Sequence, residues 1–178
     1  MATIVKNNLQ DKYNKGTIVI HWLSLLLILG LIPSGFIMAD TPVNETKVLL
    51  LRMHVIVGFI VFLATLLRVY FFFSKKRPTK IDTGSTFHNK LIVLIENSFY
   101  IVLLLICISG IAGVLMAGLG GVIQSGDYKL FPTSMEVPPF VVHKIGAIGL
   151  IILLLAHIGG VINHYINFKE NTIKRIIP

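Results

Sequence analysis

Charge is what this chain has least of. Only 13% of its 178 residues are Asp, Glu, Lys or Arg, 54% are hydrophobic, and the mean hydropathy is +0.82. A soluble domain carries roughly a quarter charged residues, so this balance excludes a water-soluble globule and indicates an integral membrane protein. Cysteine is nearly absent too: Cys107 stands alone inside an apolar run, which rules out a disulfide framework and any CxxC or CxxCH motif. Acidic residues are missing from the depths of the apolar runs, with Glu96 near a run end. That argues against a carboxylate-lined path for protons or metal ions.

What is present is hydrophobic length. Four apolar runs occupy about 18–38, 53–73, 91–119 and 141–165, each near the roughly 20 residues that a helix needs to cross the hydrocarbon layer. The expected fold is an all-α membrane protein, a four-transmembrane-helix bundle forming one domain over 1–178. About 16 mostly polar residues precede the first run, which is of full-span length, so it reads as an uncleaved span rather than a secretory signal. Residues 40–45 form a polar turn, 75–80 stop the second run, and Pro132, Pro138 and Pro139 mark the loop before the fourth. Gly110, Gly113, Gly118, Gly120 and Gly121 crowd the end of the third run, where small residues let neighbouring helices approach closely.

The few charges are unevenly shared. The side of both termini and the second loop carries Lys6, Lys12, Lys15, Arg68, Lys75, Lys76, Arg77, Lys80, Lys90, Lys169, Lys174 and Arg175 against Asp11, Asp82, Glu96 and Glu170. The other side has Lys47, Arg52, Lys129 and Lys144 against Asp40, Glu45, Asp127 and Glu136. The basic excess predicts that both the N and C termini are cytoplasmic. The pI of about 9.8 then reports topology and contact with anionic membrane lipid, and nothing in it argues for nucleic acid.

Histidine carries the chemistry. His21, His54, His143 and His157 lie within apolar runs, where an uncompensated imidazole is expensive. His143 and His157 are 14 residues apart, which on a helix is about 21 Å of rise and about 40° short of four turns, so they share a face at two depths. With the orientation above, His21 and His157 fall at the cytoplasmic level and His54 and His143 at the outer level, in layers roughly 20 Å apart. Two imidazoles facing across a bundle are what bis-histidine haem iron requires. A lone intramembrane histidine can instead bond a neighbouring carbonyl or serine, but four at two matched depths fit that reading less well. Structural zinc wants four ligands converging on one point, which two separated pairs do not offer.

Other residues fit the same layers. Arg68 follows His54 by 14 residues, so it sits on roughly the same face at the cytoplasmic level, where it could meet a haem propionate. Gly35, 14 residues after His21, and Gly58, one turn after His54, would clear space at the outer level. His88 reads as a solvated loop residue. His164, seven residues after His157, reads as an interfacial residue meeting a propionate or a quinone, or snorkelling. Without CxxCH, haem would be held with no thioether bond.

Several of these residues resemble the bacterial cytochrome b561 family, over nearly the whole chain. The resemblance rests on Ile20-His21-Trp22, Met53-His54-Val55, Arg68, the interval between His143 and His157, and the tail from Asn163-His164-Tyr165 through Lys169-Glu170-Asn171-Thr172 to Arg175-Ile176-Ile177-Pro178. It implies a multi-pass di-haem b cytochrome of the bacterial inner membrane, with two haem b groups ligated by His21 with His157 and by His54 with His143. It also implies electron exchange with ubiquinone or another quinone, and one branch resembles a superoxide:quinone oxidoreductase. In that branch a basic residue six before the first histidine is associated with the quinone site; here it is Lys15, where arginine is usual. Val142 stands where the family pattern leads one to expect an aromatic.

Two histidines on each iron leave no open position, so one-electron transfer is the chemistry that remains. The expected function is a di-haem b transmembrane electron carrier and oxidoreductase. A small outer donor such as superoxide, attracted by Lys47, Arg52 and Lys144, would supply electrons that quinone collects near Lys15 and His164. The alternative is the haem b membrane subunit of a hydrogenase- or formate dehydrogenase-like complex, with a redox partner protein as the donor.

Overall fold

The computed structural model describes residues 11–177, and Lys6, counted in the charge balance, lies outside them. Four long helices carry the chain: α1 (Lys15–Asp40), α2 (Glu45–Ser74), α3 (Thr86–Met116) and, after a short α4 (Gly120–Ser125), α5 (Pro138–Phe168). Two 3-10 turns, Tyr128–Leu130 and Thr172–Arg175, complete the elements, and the described residues contain no strand. All four long helices are long and apolar enough to cross a membrane. The chain is an all-helical, multi-pass membrane protein. Large side chains such as Leu26, Phe73 and Leu115 stay exposed on helix surfaces, as befits helices whose outer faces meet lipid.

Each helix starts where the sequence supplies a cap. The side chains of Asn14, Asn44 and Ser85 accept from the backbone N–H groups of Thr17, Lys47 and His88. α5 opens on Pro138 and Pro139, which lack N–H groups that a first turn would leave unpaired. Each of the four long helices therefore begins upstream of its apolar run. α2 starts at Glu45 rather than 53, and α3 is displaced at both ends, starting at Thr86 rather than 91 and ending at Met116 rather than 119. Gly118 takes φ 67° and the Leu119 N–H turns back to the Val114 carbonyl, so the chain reverses into α4. His88 accordingly lies in the first turn of α3, exposed, rather than in a loop.

α1 packs on α2, α3 packs on α5, and α2 joins the two pairs by packing on α3. Glycine makes the α3–α5 contact close. A Cβ on Gly113 would sit 2.3 Å from Phe140 Cε1, and one on Gly146 would sit 2.7 Å from Ile106 Cγ1. Ile28, Val61, Leu103 and Leu150 form a core at mid-bundle. A second core at the loop-bearing end gathers Val48, Leu51, Ala117, Leu119 and Val122, so α4 plugs the bundle there. Arg52 locks the plug by donating to the carbonyls of Ile123 at 2.7 Å and Gln124 at 2.9 Å, the helix end where a cation is favourable.

The opposite end is closed by backbone acceptors. The Tyr13 N–H donates to the Arg175 carbonyl at 3.1 Å, and the buried Arg175 guanidinium donates to the carbonyls of Asp11 at 3.1 Å and Thr79 at 2.6 Å. Trp22 Nε1–H donates to the Ile176 carbonyl at 2.8 Å. The segments before α1, between α2 and α3, and after α5 therefore meet on one terminal face.

Candidate functional site: two layers of histidine

At the loop-bearing end, His54 on α2 and His143 on α5 face each other with ring centroids 6.1 Å apart. The hydrogen bonds around them favour one tautomer. His143 Nδ1 lies 2.8 Å from the Ile106 carbonyl, which can only accept, so the ring proton is on Nδ1. His54 Nδ1 lies 3.3 Å from Ser34 Oγ, whose own proton goes to the Leu31 carbonyl at 3.0 Å, so His54 again donates from Nδ1. Nε2 is thus the bare nitrogen of both rings. Both rings also rest on glycine: an added Cβ would lie 3.2 Å from His54 Cε1 at Gly35 and 2.9 Å from His143 Nδ1 at Gly110. Gly35 therefore makes room for the imidazole itself, whereas around Gly58 a Cβ would meet nothing within 4 Å.

This donor set fits haem iron. An iron about 2 Å from one nitrogen of each ring places the ring centroids roughly 6 Å apart. Metal-bound histidines characteristically donate their other ring N–H to a carbonyl or similar acceptor, which orients the ring. Among the described residues no three of His, Cys, Asp and Glu converge to hold a metal ion. The groups that sequence reasoning left out are the Ser34 hydroxyl and the Ile106 carbonyl; a serine in an apolar run was visible, a backbone carbonyl was not.

Near the terminal face, His21 on α1 and His157 on α5 lie within electrostatic reach of each other, and Arg68 reaches both. Arg68 therefore joins this layer, as its spacing from His54 predicts, with its guanidinium 5.6 Å from the Tyr100 ring centroid. His21 meets Trp22 edge-on at 5.5 Å and His157 meets Phe99 edge-on at 5.6 Å. Arg77, stacked 4.2 Å from the Phe72 ring centroid, pairs with Glu96. Burial, reinforced by the negative charge of Glu96, holds the Tyr13 phenol above its ordinary pKa, so it stays neutral beside Arg77.

The remaining sequence candidates part company. Lys15 is exposed at the first position of α1. His164 is buried, 7% exposed, with Nε2 3.2 Å from Glu170 Oε2. Lys169 takes a left-handed φ of 55°, where the chain turns at the end of α5 and Glu170 meets His164. His164 thus faces the protein rather than the interface. Of the three cations expected to attract a donor, Arg52 is committed to α4 and Lys47 is buried with Nζ donating to the Thr41 carbonyl at 2.7 Å. Lys144 is exposed.

Four apolar helices with imidazoles gathered at two levels define a helical membrane protein of the cytochrome type. A family model for prokaryotic cytochrome b561 matches residues 12–178, and the chain belongs to that family. Membership makes it a haem b membrane electron carrier. No curated protein matches the chain.

Proposed function

We propose that the chain holds two haem b groups, one between His54 and His143 and one between His21 and His157. On this reading it carries electrons across the bacterial inner membrane from a small donor such as superoxide to quinone. The observation that carries the proposal is the 6.1 Å approach of His54 and His143 with both Nδ1 atoms already engaged. Haem b supplies a one-electron iron couple, and two histidines per iron leave no position for oxygen. Overall, two superoxide ions would each lose one electron to become oxygen, while one quinone gains two electrons and two protons.

The chain's own groups divide the work. Ser34 and the Ile106 carbonyl orient the loop-side imidazoles, and Arg68 offers a guanidinium to a carboxylate in the other layer. Lys144 presents an exposed positive charge to an anionic donor. Lys15 is accessible to donate to a quinone carbonyl, a role that the enclosed His164, in contact with Glu170, supports less well. The basic excess of the terminal face favours a cytoplasmic placement for it.

Haem counting with absorption spectra tests the proposal. Two haem b per chain are expected, with His54→Ala and His143→Ala losing one and His21→Ala and His157→Ala losing the other. A single haem in the unmodified protein, or different losses within a pair, would overturn the assignment.

A further inference from the structure

Beyond Arg68, the terminal face carries a shallow surface cleft where the start of α1 meets the end of α2. Four cations line it: Arg68, Lys75, Lys76 and Arg77. Among the described residues Glu96 pairs with Arg77 and no carboxylate pairs with Lys75 or Lys76, while Arg68 is the cation that the proposed function directs at haem. Phe71, Phe72 and Tyr100 form the apolar part of the wall. Phe73, next along α2, is 81% exposed on the surface that meets lipid. Positive charge above and an aromatic wall leading into the hydrocarbon layer below match an amphiphile with a charged head.

We propose that this cleft binds a phospholipid through an anionic phosphodiester headgroup, with acyl chains running down the α2 surface past Phe72 and Phe73. A neutral quinone ring does not need the two uncompensated charges of Lys75 and Lys76, and a free phosphate ion does not need the aromatic wall. Scattered lysines on a solvated face would serve charge balance without a cleft; here Lys75 and Lys76 share one cavity with Arg68. Basic pockets between spans are a recognised means of holding anionic lipid. The site does not depend on the electron-transfer reading and survives its failure.

Delipidated full-length holoprotein in mild detergent is titrated with phosphatidylglycerol or phosphatidylcholine while native mass spectrometry counts bound lipid. Phosphatidylglycerol should bind and phosphatidylcholine should not. Lys75→Gln with Lys76→Gln should weaken phosphatidylglycerol binding about 30-fold, at about fivefold for each lysine, with haem content unchanged. Lys80→Gln with Lys90→Gln, a matched charge loss at exposed positions outside the cleft, should weaken it clearly less, because neither lysine lines the cleft. Single Lys76→Gln gives the same reading if the double variant proves unstable. Equal binding of the two lipids, or equal loss in the two double variants, overturns the proposal. Displacement of the lipid by millimolar inorganic phosphate or by a short-chain quinone assigns the cleft to that ligand and likewise overturns it.

Discussion

Ser34→Ala isolates the support of one imidazole. The His54 Nδ1–H donates to Ser34 Oγ across 3.3 Å, and the serine proton is already committed to Leu31. Alanine removes that acceptor and adds no bulk, leaving a ring N–H facing an apolar layer. An unpaired buried donor costs about 1–3 kcal/mol, and loss of such a partner typically weakens metal binding by about 10–100-fold. A 3.3 Å bond is at the long end of the useful range. The lower end of both estimates therefore applies, about tenfold or ~1.4 kcal/mol. Transfer of haem to excess apomyoglobin reads this directly, since two haems leaving independently give two phases. One phase should speed up about tenfold by that estimate and the other should hold. Two unchanged phases would refute the hydrogen-bond argument, and equal acceleration of both would show a loosened bundle instead of a loosened ring.

Three other outcomes are expected. Gly113→Ala forces a Cβ to within 2.3 Å of Phe140 and should destabilise the α3–α5 contact by about 1–3 kcal/mol, seen as thermal haem release several degrees lower; an unchanged midpoint would contradict the packing. Arg52→Gln removes two charge-assisted bonds to α4, each worth about 1.5–3 kcal/mol, and should speed proteolysis within 117–137 while leaving 75–85 unaffected; parallel changes at both sites would count against the lock. Lys15→Gln should slow quinone reduction at limiting quinone with both haems retained, and unaltered kinetics would remove Lys15 from the quinone site.

Span number and the depth of the histidines were legible because both depend on one-dimensional quantities, apolar length and helical rise. The pairing of His54 with His143 followed from those alone. Helix ends were less legible, since Asn14, Asn44 and Ser85 act through local hydrogen bonds that hydropathy does not register. α4, directly after the third apolar run, went unread because its signal is the backbone angle at Gly118, not a change of polarity. Arg52 and Lys47 read as charges facing outward, yet Arg52 is taken by a carbonyl 71 residues along the chain and Lys47 by one six residues back. His164 turned inward for a similar reason: its partner Glu170 meets it only after the left-handed turn at Lys169.

Because α5 contributes a histidine to each layer, the interval between the layers is set by one continuous helix and not by how the bundle packs. Tilting α1 or α2 slides His21 or His54 sideways and leaves the roughly 21 Å between His143 and His157 as it was. The helix acts as a ruler whose graduations are residues. Removing one of the thirteen residues between those histidines would shorten the interval by about 1.5 Å and swing His157 by about 100° away from its partner. A change in the length of a connecting loop leaves that interval untouched, whereas a change in the length of the stretch 144–156 does not.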